Sequence, residues 1–166
     1  MLRLIHSMKE LPFGGLMAVY AESNRENGEE FWPDLSAGEQ LLRVEQDFYQ
    51  YLQQVFFKTE RAVYCLWEVS GRPVSALRLE PYRDGLLLEA LETAPEHRKM
   101  GYASALTRAV QEKVRDQKIY SHVGKRNVAS LNTHRACGFR RISEQAVYAD
   151  GSVNDRCCTL VYEGNL

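Results

Sequence analysis

Residues 86–106 constrain this fold more than any other stretch of the chain. Leu86-Leu87-Leu88-Glu89-Ala90-Leu91-Glu92-Thr93 is a short, mostly apolar run between Asp84-Gly85 and Pro95, the pattern of a largely buried strand. Past Pro95-Glu96-His97-Arg98-Lys99-Met100-Gly101, the residues Ala103, Leu106, Val110 and Val114 recur at helical spacing, with Arg108, Gln111, Glu112 and Arg115 on the other side. A buried strand feeding a helix with one buried face calls for helices layered on a sheet.

The turn between them suits an anion. Gly101 removes a side chain where backbone N–H groups would approach a ligand, and Ala103 keeps the first helical turn small. Unpaired amides at the helix start, with Arg98 and Lys99 beside them, favour negative charge, and a pyrophosphate fits such a site. There is no Gly-x-Gly-x-x-Gly and no Gly-Lys-Ser/Thr, which disfavours dinucleotide-binding and Walker-type sites. An ordinary connection with a solvated Arg-Lys pair would use the same residues, so a second signal is needed.

Asn127 to Phe139 supplies it. A helix capped by Asn127 and stopped by Gly138 puts Asn127, Ser130, Leu131 and His134 at i, i+3, i+4 and i+7, on one face. Each has a common structural use as well, Asn127 in capping, Ser130 in a local backbone bond and His134 in packing.

Elsewhere, Leu2–Ile5 reads as a strand, and Ser7-x-x-Glu10 as a capping box for a helix running toward Ser23, with Gly14-Gly15 marking close packing or a break. Residues 24 to 35 are polar and breaker-rich, a loop and the one candidate mobile element. Ser36-x-x-Glu39 opens a long helix with Leu41, Val44, Phe48, Leu52, Val55 and Phe56 on one face. Hairpins over 62–69, 74–79 and 86–93 pair antiparallel, whereas 118–123, reached by a crossover, lies parallel to 86–93. Residues 139–149 and 153–162 form a last hairpin through Asp150-Gly151. The expectation is a single α/β (α+β) domain over residues 1–166: a mixed, mostly antiparallel sheet of about six to seven strands flanked by about four helices.

A chain of 166 residues with 45% hydrophobic content can bury one core. A formal net charge of −1 gives no electrostatic case for nucleic acid or an anionic membrane. The N-terminal apolar run is too short for a signal peptide, and no later run approaches a membrane span, so cytoplasmic residence is the default. Cys65, Cys137, Cys157 and Cys158 show no zinc-like spacing and no disulfide pattern, so no metal is expected. Cys157 and Cys158, adjacent in a strand, point to opposite faces.

Taken together, the two motifs resemble the GNAT superfamily of acetyl-CoA-dependent N-acyltransferases. Arg98-x-x-Gly101-x-Ala103 looks like its pyrophosphate-binding Arg/Gln-x-x-Gly-x-Gly/Ala motif, and Asn127-x-x-Ser130-x-x-x-His134-x-x-x-Gly138-Phe139 looks like the helix after the fifth strand. That second form is similar to the phosphinothricin-acetyltransferase-like branch, which leans toward a small-molecule amine. The resemblance implies acetyl-CoA as co-substrate in a slot between the parallel strands. Its contacts would come from Leu91, Thr93, Arg98, Lys99, Met100, Gly101, Tyr102, Ala103, Ser104, Asn127 and Ser130, with a bulge in the strand exposing an N–H near Glu92.

Direct attack on a thioester needs a deprotonated amine, and a lysine-like amine has a pKa of roughly 10.4, so a base is useful. Without a bulge Glu89 and Glu92 face opposite sides of their strand, so one of them, Glu92, is the expected base; a rim carboxylate paired with Arg98 is the structural alternative. His134 stands where many family members carry a tyrosine proposed to protonate the leaving thiolate, with Tyr120 and Tyr148 in reserve. The region holding Glu22, Glu26, Glu29, Glu30, Phe31, Trp32 and Asp34 would wall the acceptor and suit a cation, or would be a solvated charge run. The expected partner is a small-molecule or peptide amine, with a homodimer compatible. A protein N-terminal or lysine acetyltransferase and a non-catalytic acyl-CoA-binding module are the alternatives.

Overall fold

The long apolar runs become the centre of one sheet. In a computed structural model, which describes residues 1–164, the strands are β1 (Leu2–Ile5), β2 (Val63–Val69), β3 (Arg72–Tyr82), β4 (Gly85–Thr93), β5 (Lys118–Gly124), β6 (Arg140–Ser143), β7 (Ala146–Val147), β8 (Val153–Asn154) and β9 (Cys157–Tyr162). The helices are α1 (Phe13–Val19), α2 (Ala21–Phe31), α3 (Ala37–Gln54), α4 (Tyr102–Lys113) and α5 (Val128–Ala136). The last two residues of the expected 1–166 domain lie outside the described residues.

Seven strands form the main sheet in the order β1-β2-β3-β4-β5-β9-β6, and every pair is antiparallel except β4 with β5. The parallel pair follows from the crossover through α4. On one face, Leu77, Leu79, Leu86, Leu88, Ile119 and Val123 pack against Leu106 and Val110 of α4. On the other, Tyr64, Leu66 and Ala76 pack against Leu16, Val19, Leu52 and Phe56 from α1, α3 and the turn after it. Alternation along each strand divides its residues between these two cores.

The Ser36 box forms as expected: its hydroxyl accepts from the Glu39 N–H, and the Glu39 carboxylate accepts from the Ser36 N–H at 3.0 Å. Along α3, Val44 and Leu52 are buried, with Phe56 just beyond, but Leu41 and Val55 are exposed; the helix ends at Gln54, so Val55 leaves its face.

Three expectations need correction. Ser7 and Glu10 do not open a helix; Glu10 accepts from the His6 N–H at 2.9 Å within a turn, and α1 starts only after Pro12. A helix running through Pro12 would lose a backbone bond and crowd the preceding turn. Residues 24–35 are not a loop, because α2 continues to Phe31. Its Gly28 is no breaker: a Cβ there would sit 2.9 Å from Cβ of Gln40, so the glycine lets α2 lie close against α3. Splitting the first helical region at Tyr20 gives five helices where about four were expected. Finally, the C-terminal hairpin divides: β7 and β8 form a separate two-stranded ribbon around Asp150-Gly151, while β9 enters the main sheet between β5 and β6. Cys158 faces the core and Cys157 is half-exposed.

Candidate active site

The parallel pairing of β4 and β5 stops at Leu88 and Ser121, although both strands run on to Thr93 and Gly124. Beyond that point they separate and open a slot. A bulge makes the separation sharper. Arg78 of β3 lies opposite Glu89, but Ala76 lies opposite Glu92, so two steps on β3 match three on β4. Ala90 takes the extra residue's conformation at φ 51°. The face alternation is thereby reset, and Glu89 and Glu92 look the same way.

The slot widens into a cavity of about 860 Å³. One wall is the turn into α4. Gly101 occupies the N-cap at φ 81°, a left-handed value that L side chains avoid, and no atom lies within 4 Å of where its Cβ would be. No side chain caps α4, so its first amides face the cavity with the positive end of the helix dipole behind them. Lys99, Gly101, Tyr102, Ala103 and Ser104 line this wall, and Leu91 and Thr93 line the adjoining edge of β4. Met100 does not; its side chain is 60% exposed outside the cavity.

Arg98 also reaches the cavity, but its guanidinium bridges two elements. Nε donates to the Thr93 carbonyl at 3.3 Å and Nη2 pairs with Glu22 of α2, which holds the Glu22 carboxyl below its usual range. The expected alternative of an Arg98–Glu92 pair gives way to Arg98–Glu22. Glu92 instead sits with Ser23 and Glu26 nearby, and burial pushes its carboxyl upward, opposed by Ser23 and Arg98. Glu89 is likewise raised by burial, opposed by Arg78, whose Nη2 is 3.6 Å from it.

The far wall comes from α5. The Asn127 side chain accepts from the Ser130 N–H at 3.0 Å, as a cap should, and Asn127, Ser130 and His134 all line the cavity. Leu131, on the same predicted stripe, packs on the core instead. His134 is 1% exposed. Its Nδ1 lies 2.8 Å from the Ser130 carbonyl, which can only accept, so Nδ1 carries the proton. Burial holds its pKa down despite that bond, so the ring is neutral and Nε2, buried without a partner, is a bare lone pair. In this tautomer the free nitrogen of His134 is a hydrogen-bond acceptor.

Tyr120 and Tyr148, the reserve acids, fall outside the cavity lining. The Tyr120 hydroxyl donates to Asp84 at the other end of β5, and Tyr148 stacks edge-on against His122 at 5.1 Å between ring centroids. Among the residues the motifs did not single out, His122 is the clearest. It lines the cavity from β5, neither ring nitrogen has a hydrogen-bond partner, and burial together with Arg83 lowers its pKa. In sequence, only its place two residues from Tyr120 on β5 shows that the two rings share a face of the sheet. Among the described residues no group of three His, Cys, Asp or Glu side chains is placed to hold a metal ion.

The model of the acetyltransferase (GNAT) family matches residues 20–139, which takes in the bulge, the Gly101 turn and α5. The chain belongs to the GNAT family. It is therefore an acetyltransferase, an acyl-transferring enzyme. No curated protein sequence matches it. Several solved GNAT structures share its architecture. PaiA N-acetyltransferase from Thermoplasma acidophilum, in complex with coenzyme A, is 10% identical with a TM-score of 0.63 over 98% of this chain and 99% of that one. The ribosomal-protein-S18-alanine N-acetyltransferase from Escherichia coli is 14% identical with a TM-score of 0.62, covering 100% and 96%. The IAA acetyltransferase from Bacillus cereus is 16% identical with a TM-score of 0.61, covering 98% of each chain. At these identities the likeness concerns the fold. This GNAT chain shares with them its overall fold, which here is built on a mixed seven-stranded sheet with one parallel pair.

Proposed function

We propose that the protein transfers an acetyl group from acetyl-CoA to the amine of a small cationic molecule. One observation carries the reading: a single cavity joins an uncapped helix N-terminus to a carboxylate-lined chamber through the β4–β5 slot. The donor set fits the co-substrate. Open space at Gly101, the first amides of α4 and Lys99 suit a pyrophosphate, and the strand edges freed where β4 and β5 part suit the amide groups of a pantetheine arm. When bound, acetyl-CoA supplies the activated acyl carbonyl.

The remaining chemistry falls to side chains of this chain. Glu22, Glu26, Glu89 and Glu92 attract and orient an ammonium group. Glu92, raised by burial, takes its first proton, leaving the neutral amine to form the C–N bond as the C–S bond breaks. His134 offers its free Nε2 lone pair to the second amine proton and passes that proton to the departing sulfur. An N–H at the bulge near Glu92 stabilises the developing oxyanion.

Melting the protein with acetyl-CoA, with free adenine nucleotide as control, tests the first half. At a hundred times Kd, binding contributes about 2.7 kcal/mol, or roughly 5–10 °C. Thioester cleavage that depends on an added diamine tests the second. A shift without amine-dependent turnover across small amines and peptides would favour an acyl-CoA-binding module, and turnover only with peptides would favour a protein acetyltransferase.

A further inference from the structure

We infer that Tyr20, backed by Tyr64, is a positioning residue that holds the β4 bulge, and with it the slot, in working geometry. The bulge leaves one residue both strained and short of a hydrogen-bond partner. Ala90 is held at φ 51°, where a side chain is disfavoured, and the register jump from Glu89 to Glu92 takes Ala90 out of the regular ladder with β3. A shielded carbonyl outside its ladder needs another partner. The Tyr20 hydroxyl provides one, donating to the Ala90 carbonyl at 2.8 Å.

Tyr20 is itself fixed from behind. The Tyr64 hydroxyl donates to the Tyr20 oxygen at 2.7 Å, which settles the direction of the relay: Tyr64 to Tyr20 to Ala90. Tyr64 lies on β2 and is completely buried, Tyr20 is 4% exposed, and the Tyr20 ring packs edge-on against Phe48 of α3 at 5.9 Å. Tyr20 is also the joint between α1 and α2: its N–H bonds the Leu16 carbonyl and its own carbonyl accepts from Asn24. The helix that follows brings Glu22, Ser23 and Glu26 to the cavity. One phenol therefore sets the shape of the bulge and the position of the acceptor wall relative to Glu92.

The proposal deepens the acetyltransferase reading and rests on it for its kinetic arm only. Y20F keeps the ring and removes the hydroxyl. With acetyl-CoA as donor and spermidine as the amine probe, Y20F should lower kcat about tenfold, the size of one lost hydrogen bond, while CoA affinity through the Gly101 turn changes less than about threefold. A glycine accepts φ 51° without strain, so in an A90G background the same Y20F change should cost less than about threefold in kcat. Hydrogen exchange of residues 86–93, measured without any substrate, should speed up about tenfold in Y20F and much less in Y20F/A90G.

Y64F, which leaves the Tyr20–Ala90 bond in place, should show a smaller loss in both readouts and keeps the idea testable if Y20F folds poorly. Equal Y20F effects with and without the A90G substitution would overturn the proposal and assign Tyr20 to packing, as would unchanged exchange across 86–93. If the unmodified protein turns over no spermidine, the acetyl-transfer reading is what suffers, and the exchange data still decide the clamp.

Discussion

Glu89 and Glu92 stand on one face of β4 although they are three positions apart, because the bulge at Ala90 sets two residues of β4 opposite the single residue, Leu77, between their partners Arg78 and Ala76. Their surroundings divide the labour. Glu89 is matched with the Arg78 guanidinium, whereas Glu92 faces the cavity with the smaller Ser23 hydroxyl beside it. E92Q should therefore lower kcat/KM about a hundredfold, the low end for a lost base. Burial raises the folded pKa of Glu92 above its unfolded value, so the stability it contributes is present below the unfolded pKa and lost as pH rises through the folded one. At neutral pH the charged carboxylate is thus a burden, and E92Q should melt higher than the parent while being less active. Melting and steady-state kinetics on one preparation check both; a lower melting temperature with full activity would remove Glu92 from the base role.

Gly101 predicts a different pattern. A Cβ at φ 81° is strained but meets no protein atom within 4 Å, so G101A should cost about 1 kcal/mol and lower the melting temperature by about 3 °C. The same Cβ projects where a pyrophosphate would approach, and acetyl-CoA affinity should fall more than about tenfold. Calorimetric titration of the folded variant separates the two effects.

The motifs around Gly101 and Asn127 were legible in sequence because backbone conformation and capping leave residue-specific marks: glycine at positive φ, asparagine accepting from Ser130. The parallel pair was legible from its crossover. The bulge was not. Ala90 carries no sign that it will adopt φ 51°, and the residue that meets its carbonyl, Tyr20, is 70 positions away. Helix α2 is hidden in the sequence for a related reason: it has little apolar stripe, and its Gly28 serves contact with α3. His134 lines the cavity from the helical face its spacing predicts, but its tautomer depends on the Ser130 carbonyl, which is a matter of helix geometry.

A control on the scaffold follows from α3. S36A removes the hydroxyl that accepts from the Glu39 N–H, an N-cap contribution of about 1 kcal/mol, at a residue outside the cavity lining. The melting temperature should fall by about 3 °C with acetyl-CoA binding unchanged. A loss of binding in S36A would mean that α3 and the slot are coupled, against the placement of the site between β4, β5, α4 and α5.

The two histidines on the cavity give the protein an acid weakness. His122 and His134 both have folded pKa values below the ordinary 6.5, through burial in each case, with Arg83 adding to the effect at His122 and the Ser130 carbonyl opposing it at His134. Tyr82 and Tyr148 face His122 edge-on, and Phe139 faces His134, and among the described residues no ion pair joins a carboxylate to either ring. For a depressed folded pKa, the contribution to stability is present above the unfolded pKa and lost as pH falls through the folded one. The melting temperature should accordingly decline as pH drops below about 6.5, before most carboxylates titrate. H122Q, which cannot acquire that charge, should flatten the decline in melting scans from pH about 7 to about 5. A profile identical to the parent's would show that His122 gains its proton without penalty, and that its ring is better solvated than its two unpartnered nitrogens imply.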